Sequence, residues 1–204
     1  MRVRKHVNPL NLQRDFDQMP SDSLFSNSKQ LSVEIGCAHG EFIIKLAHKH
    51  PEETFIGFEI RKPLARKIQE CIDENKLENL QVLYGSSNTH IESFPDQSIS
   101  NIYVFFPDPW FKKKHHKRRI ISQSFLDKIK TKLKLDNKIL FQTDVKDLFS
   151  DIKTLIEDNP DYKISNIEEN IDTVNMTSIA SYHEQRCIDN GWPIYRIEFS
   201  CVAK

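Results

Sequence analysis

From Leu31 to Asn159 the apolar positions follow two alternating rhythms. LSVEI (31–35), TFIGFEI (54–60), QVLY (81–84), SISNIYVFF (98–106) and KILFQT (138–143) are short apolar or β-branched runs and predict five strands. Between them, EFIIKLAHKH (41–50) places Phe42, Ile43, Leu46 and Ala47 at helical spacing. KPLARKIQECIDENK (62–76) predicts a second amphipathic helix with Pro63 in its first turn, where proline is tolerated. SQSFLDKIKTKLK (122–134), opened by a serine cap, and VKDLFSDIKTLIEDN (145–159), stopped before Pro160, complete the helices. Such alternation predicts βαβ units on a parallel sheet, an α/β fold. After Pro160 the rhythm weakens: DYKISNI (161–167) predicts a strand, 169–180 an insertion or loop, and PIYRIEFSCV (193–202) a final strand. Residues 1–27, polar and broken by Pro9 and Pro20, are expected to form a basic, partly disordered arm ahead of one domain over 28–204.

A chain of 204 residues can bury a core without staples. No run of eighteen apolar residues is present, so no membrane partner is expected, and no apolar segment follows the N-terminal basic residues as in a secretory signal. Cys37, Cys71, Cys187 and Cys201 form no C-x-x-C pair, which argues against a zinc ribbon and for a reducing compartment. The expected location is cytoplasmic, or the plastid stroma for an organelle-encoded chain.

Charge changes the picture more. The 29 basic and 29 acidic residues cancel, yet K-K-K-H-H-K-R-R at 112–119 concentrates six positive charges without an acid. Arg2, Arg4, Lys5 and Arg14 add to this positive side, for which a polyanion is the natural partner.

Ligands of open parallel sheets bind outside the carboxyl ends of the strands. Glu34, Glu59, Asp108 and Asp144 stand at four such ends and predict a polar cleft. The turn E-I-G-C-A-H-G keeps Gly36 and Gly40 but has Ala38 between them, and an acid precedes it, a poor neighbour for pyrophosphate. Glu59, 25 residues after Glu34, is placed to accept ribose hydroxyls. The ligand implied is a nucleoside with a cationic tail, and S-adenosylmethionine fits. In F-F-P-D-P-W-F-K-K-K-H-H-K-R-R (105–119), Asp108 is stiffened between Pro107 and Pro109 and is followed by the cations, which suggests a base-reading carboxylate beside a phosphate track. Trp110 is expected to wedge this loop against the sheet rather than to stack on a base. His115 and His116 lack an acid or cysteine at ligand spacing, so no metal is expected.

With these residues in view, the chain resembles the tRNA (guanine-N7)-methyltransferases of bacterial and cyanobacterial type. Phe106 to Arg119 match the family's D-P-W-basic loop, Glu34 to Gly40 its glycine turn, Gly57 to Ile60 its second-strand acid, and Thr143-Asp144 its T-D pair. Ser181 to Arg186 match T-x-[YF]-E-x-[RK] loosely, with serine for threonine and His183 for the aromatic, and G-x-P-I-Y-R stands at Gly191 to Arg196. The resemblance implies a Rossmann-like class I fold with a mostly parallel sheet of about seven strands and helices on both faces. It implies methyl transfer from S-adenosylmethionine to N7 of guanosine at position 46 of tRNA, by a monomer or homodimer. Asp108 is implied as catalytic. Glu34, Gly36, Gly40, Glu59, Ser86 (standing where the family has an acid) and Asp108 are implied on the cofactor, and Lys112, Asp144, Ser181 and Glu184 on the substrate. Lys114, His115, His116, Lys117, Arg118 and Arg119 are implied on RNA. Two readings compete: an amino-group methyltransferase acting on adenine or guanine N2, and a non-catalytic RNA-binding protein that has kept the fold.

Overall fold

The computed structural model describes residues 7–9, 16–19 and 30–202; the remainder of the expected N-terminal arm lies outside them. Seven strands, β1 (Leu31–Ile35), β2 (Thr54–Glu59), β3 (Leu80–Tyr84), β4 (Ile99–Phe105), β5 (Leu133–Thr143), β6 (Tyr162–Ile171) and β7 (Ile194–Cys201), form one sheet in the order β3-β2-β1-β4-β5-β7-β6. The first five are mutually parallel, and β7 runs antiparallel to β5 and β6. This is the predicted α/β architecture with an antiparallel hairpin closing one edge.

Among the described residues, six α-helices flank the sheet: α1 (Glu41–Lys49), α2 (Lys62–Glu74), α3 (Ser87–His90), α4 (Gln123–Ile129), α5 (Lys146–Glu157) and α6 (Tyr182–Asn190). Strand alternation decides which helix meets which face. Ile102 and Val104 of β4 join Phe125 of α4 and Leu148, Phe149 and Ile152 of α5 in one core. Tyr103 and Phe105 point the other way, into a second core with Phe42 and Ile43 of α1, Ile68 of α2 and Cys187 of α6. Both faces of the sheet are therefore dry, as a parallel sheet requires. Each large side chain so buried stabilises the fold by about 1.5–3 kcal/mol.

Three segments differ from the sequence reading. KTKLK, expected to end a helix, instead turns and enters β5, because Leu133 pairs with Ile99 of β4 across a register shift. A non-local ladder outweighs the local helical preference there. β6 runs on to Ile171, into the stretch read as a loop, since pairing with β7 supports a polar edge strand that shows little apolar alternation. Helix α6 was not expected from periodicity at all. Its sequence signals are end signals: a capping box between Ser181 and Glu184, and Gly191 in the left-handed conformation after its last turn.

Two glycines shape the joint between β1, α1 and β2. Gly40 caps α1 at φ 77°, and a Cβ there would meet Ile68 at 2.7 Å. Gly57 lets β2 pass beneath the glycine turn, where a Cβ would lie 2.5 Å from Cys37 Sγ and 2.9 Å from Val82 Cγ2. Gly57→Ala should destabilise the protein by about 1–3 kcal/mol through overpacking. Urea unfolding should show a lower midpoint with an unchanged slope, and a wild-type midpoint would contradict this packing.

Candidate active site

At the carboxyl ends of β1, β2 and β4 the loops enclose a cavity of about 480 Å³. Of the residues expected in the cleft, Glu34, Gly36, Glu59, Ser86, Asp108 and Ser181 line it. Glu34 and Glu59 are 4% and 2% exposed, and they are held very differently. Glu59 Oε2 accepts hydrogen bonds from Ala38 N at 2.8 Å and Arg61 Nη2 at 3.1 Å, and Oε1 accepts from Arg61 N and Nε, each at 2.8 Å. Among the described residues, Glu34 Oε2 has no hydrogen-bond partner. Burial, reinforced by the Glu59 charge, pushes the Glu34 carboxyl up to about 8. A buried, under-donated carboxylate on the lining of a cavity suits a cationic ligand group.

The loop after β4 forms the opposite wall. Phe106 and Trp110 both adopt left-handed backbone, φ 48° and 46°, a conformation that is strained for bulky residues and concentrates at functional sites. Between them, Pro107, Asp108 and Pro109 cross the end of the sheet, anchored where Phe106 N donates to Gln142 O at 2.8 Å. Asp108 lines the cavity near enough to Arg61 for its charge to help raise the Arg61 guanidinium above its usual value, although the Glu59 hydrogen bonds contribute most. Trp110 also lines the cavity, with the Arg118 guanidinium 4.9 Å above its ring and His115 edge-on at 5.9 Å. Trp110 thus packs on its own loop through Arg118 and His115 while also facing the cavity.

The basic segment divides into two classes. Lys112, Lys113, Lys114 and Lys117 are exposed, His115 and His116 half-buried, and 113–118 form a short 3₁₀ turn. Partial desolvation and the neighbouring cations hold His115 below its usual value, favouring a neutral ring. Arg118 turns inward and lines the cavity. Arg119, 9% exposed, donates to Asp151 Oδ2 at 2.7 Å and to Pro109 O at 3.0 Å. It latches the loop to α5, its own side chain buried and the Asp151 carboxylate half-exposed.

The third wall is the start of α6, where Ser181, Tyr182 and His183 line the cavity. Ser181 Oγ accepts from Glu184 N at 3.2 Å as the helix cap. Glu184, fully buried and absent from the cavity wall, has both oxygens committed: Oε1 to Asn175 N and Arg196 Nη2, Oε2 to Asn175 Nδ2 and Ser181 N. Glu184 thus stands behind the cavity wall and braces Asn175 and the start of α6. Asp144 likewise lies behind the wall, with its Oδ2 3.0 Å from His183 Nε2, and His183 is the member of the pair that reaches the cavity. Gly40 and Lys112 do not line it either. Asp144, His183 and Cys187 place their donor atoms within 4.8 Å of one another. Burial and the Asp144 and Glu184 carboxylates push the Cys187 thiol up to about 12.

Sequence reasoning did not single out Arg61 or Arg196, whereas Tyr182 lay inside the Ser181 to Arg186 motif. Arg61 covers Glu59; Arg196 of β7 bonds Glu184, Glu168, Gln142 and the Thr173 carbonyl, tying α6 to the sheet. Arg196 left a signal as the last residue of the Gly191 to Arg196 motif, and Arg61 left none.

The fold matches solved methyltransferases at low identity. A 16S rRNA methyltransferase, KamB, superposes with a TM-score of 0.63 at 13% identity, covering 92% of this chain and 96% of that one. A 16S rRNA (adenine(1408)-N(1))-methyltransferase from Catenulisporales acidiphilia gives 0.59 at 13% identity, covering 89% of each chain. In sequence, a family model described as "Putative methyltransferase" matches residues 28–197. A tRNA (guanine-N(7)-)-methyltransferase of Prochlorococcus marinus (strain AS9601) is 36% identical over 80% of this chain and 78% of its own length. One from Synechocystis sp. (strain ATCC 27184 / PCC 6803 / Kazusa) is 31% identical over 96% and 95%. A class I sheet, an acidic nucleoside cleft, a D-P-W-basic loop and relatives that run nearly end to end lead to one conclusion: the chain belongs to the tRNA (guanine-N7)-methyltransferase family.

Proposed function

We propose that this protein transfers the methyl group of S-adenosylmethionine to N7 of guanosine 46 in the variable loop of tRNA, as a monomer or homodimer in the cytoplasm. The observation that carries the reading is Asp108, flanked by two prolines and lining the same cavity as two buried glutamates. S-adenosylmethionine supplies an electrophilic methyl on a positively charged sulfur. Its charge and its ribose suit Glu34 and Glu59, and Ser86 stands at the lip where the purine would lie. For Glu59 to take the two ribose hydroxyls, the Arg61 side chain exchanges its hydrogen bonds for theirs.

Guanine N7 carries an in-plane lone pair and no proton at neutral pH. Transfer therefore forms one N–C bond and breaks one C–S bond, and no side chain has to accept a proton. The positive charge moves from sulfur to the purine ring. What the protein supplies is alignment of nitrogen, carbon and sulfur, catalysis by positioning. We assign Asp108 to accept hydrogen bonds from guanine N1–H and N2–H, which enriches N7 in electron density and rejects adenine. Asp144 acts through His183, Ser181 shapes the wall, and the exposed lysines Lys112, Lys114 and Lys117, with His115 and His116, follow the phosphate track.

The test is incubation of methyl-labelled S-adenosylmethionine with unmodified tRNA, then nucleoside identification. Label in 7-methylguanosine is the expected result. Label in an N2-methylated guanosine or an adenosine would select the amino-group reading, and tRNA binding without transfer would select the non-catalytic one.

Asp108→Asn should lower kcat by a factor of about 100 or more, the scale of losing one transition-state electrostatic contact, with tRNA affinity within about twofold of wild type. Equal losses in both would remove Asp108 from its role.

Glu34 generates a pH dependence. Its free carboxyl titrates near 8, and a cation settling beside it favours the ionised form, so binding must expel a proton below that pH. Cofactor affinity should therefore strengthen from about pH 6 to about 7.5, before the ligand's own amine begins to lose its proton. Calorimetry should show this rise, and Glu34→Gln should bind more weakly with a flat profile. A rise that persists in Glu34→Gln would refute the assignment.

For the basic loop, Lys114→Ala with Lys117→Ala should weaken tRNA binding and reduce the slope of log affinity against log salt by about two. Arg119→Ala should instead lower the unfolding midpoint, because it breaks the latch to Asp151.

A further inference from the structure

Helix α6 carries a surface feature that the methyl-transfer chemistry does not use. The Arg186 guanidinium lies 6.0 Å from the Tyr182 ring and 5.7 Å from the Trp192 ring, so it bridges an aromatic residue one turn before it and another just past the helix end. Both rings stay open to solvent, at 56% and 41% exposure. The series continues inward. Trp192 stands 6.4 Å from His183, and His183 meets Phe106 edge-on at 4.7 Å. Phe106, His183 and Tyr182 all line the cavity. A continuous run of π faces thus leads from the wall of the reaction site to the outer surface, with a cation built into it.

We infer that the Tyr182–Arg186–Trp192 surface stacks a nucleobase adjacent to the methylated guanosine. The inference rests on the tRNA reading above and names a part of the substrate that the reading leaves unassigned. Its physical basis is the geometry of reaching a base inside a cavity. A guanine that enters the site leaves its stack, and the neighbouring bases lose a partner. Exposed aromatic rings and an arginine plane at the cavity rim replace that partner, and they do so for any base, because every base has a π face. The cation adds attraction for the adjoining phosphate and for the ring it covers. The bland alternative is that Arg186 merely lays its stem over two surface rings. Such packing would be indifferent to RNA.

A double perturbation separates the two. The RNA is unmodified tRNA, or the same tRNA with an abasic site on the 5′ or the 3′ side of the target guanosine, and the protein is wild type, Tyr182→Ala, Trp192→Ala or Trp192→Phe. Affinity is read by fluorescence anisotropy. On intact tRNA, Tyr182→Ala and Trp192→Ala should each bind about 5- to 150-fold more weakly, the span of base–aromatic stacking, and Trp192→Phe should recover most of the loss. One of the two abasic tRNAs should weaken wild type by a similar factor and should weaken the alanine variants little further, since the same contact cannot be lost twice. Cofactor affinity of Trp192→Ala, measured without RNA, should match wild type. Wild-type indifference to both abasic tRNAs, additive losses, or a loss of cofactor affinity in Trp192→Ala would each overturn the inference. Failure of the wild type to bind tRNA or to form 7-methylguanosine would overturn the functional reading instead, so the two failures are distinguishable.

Discussion

Two carboxylates taken out of water at the ends of neighbouring strands are the constraint around which the site is arranged. An ionised carboxylate in a dry cleft must be met by donors or give up its charge. Glu59 is met by donors: the backbone at Ala38 and Arg61, and the Arg61 side chain. Glu34, beside it in the sheet, keeps one oxygen without a donor, and its proton affinity rises accordingly. The same desolvation that makes Glu34 costly in the free protein makes it selective, because only a positively charged ligand group relieves it fully.

The other walls are positioned by structure that never touches the ligand. The strained turn at Phe106 to Trp110 persists because Arg119 latches it to α5 and because Phe106 pairs with β5. The wall at α6 persists because Arg196 reaches across from β7 to Glu184, which in turn holds Asn175 and the helix start. Buried ion pairs such as Arg196–Glu184 contribute little net stability, yet removing one partner is severe. Their value here is geometric: they fix which side chains face inward.

This division explains why some residues that carry the family motifs stand off the cavity. Glu184, Asp144 and Arg119 sit in the right segments but serve as struts for Ser181, His183 and the D-P-W loop. A motif records that a residue type is needed at a place in the chain. It does not separate the group that meets a ligand from the group that holds it there.

Much was legible in the chain alone. Short apolar runs and helical apolar patterns specify β1 to β5 and most of their helices, because a sheet dry on both faces demands them locally. Acids at strand ends and six cations in one loop announce a nucleoside cleft facing a polyanion. Three things needed the folded molecule. Leu133 became strand rather than helix because Ile99 lies beside it only after β4 and β5 meet. The polar edge of β6 and the weakly apolar α6 are stabilised by partners distant in sequence. The inward turn of Arg118, the latch at Arg119 and the aromatic series from Phe106 to Tyr182 follow from packing between segments that no local pattern connects, since a side chain's direction is decided by what the rest of the chain brings beside it.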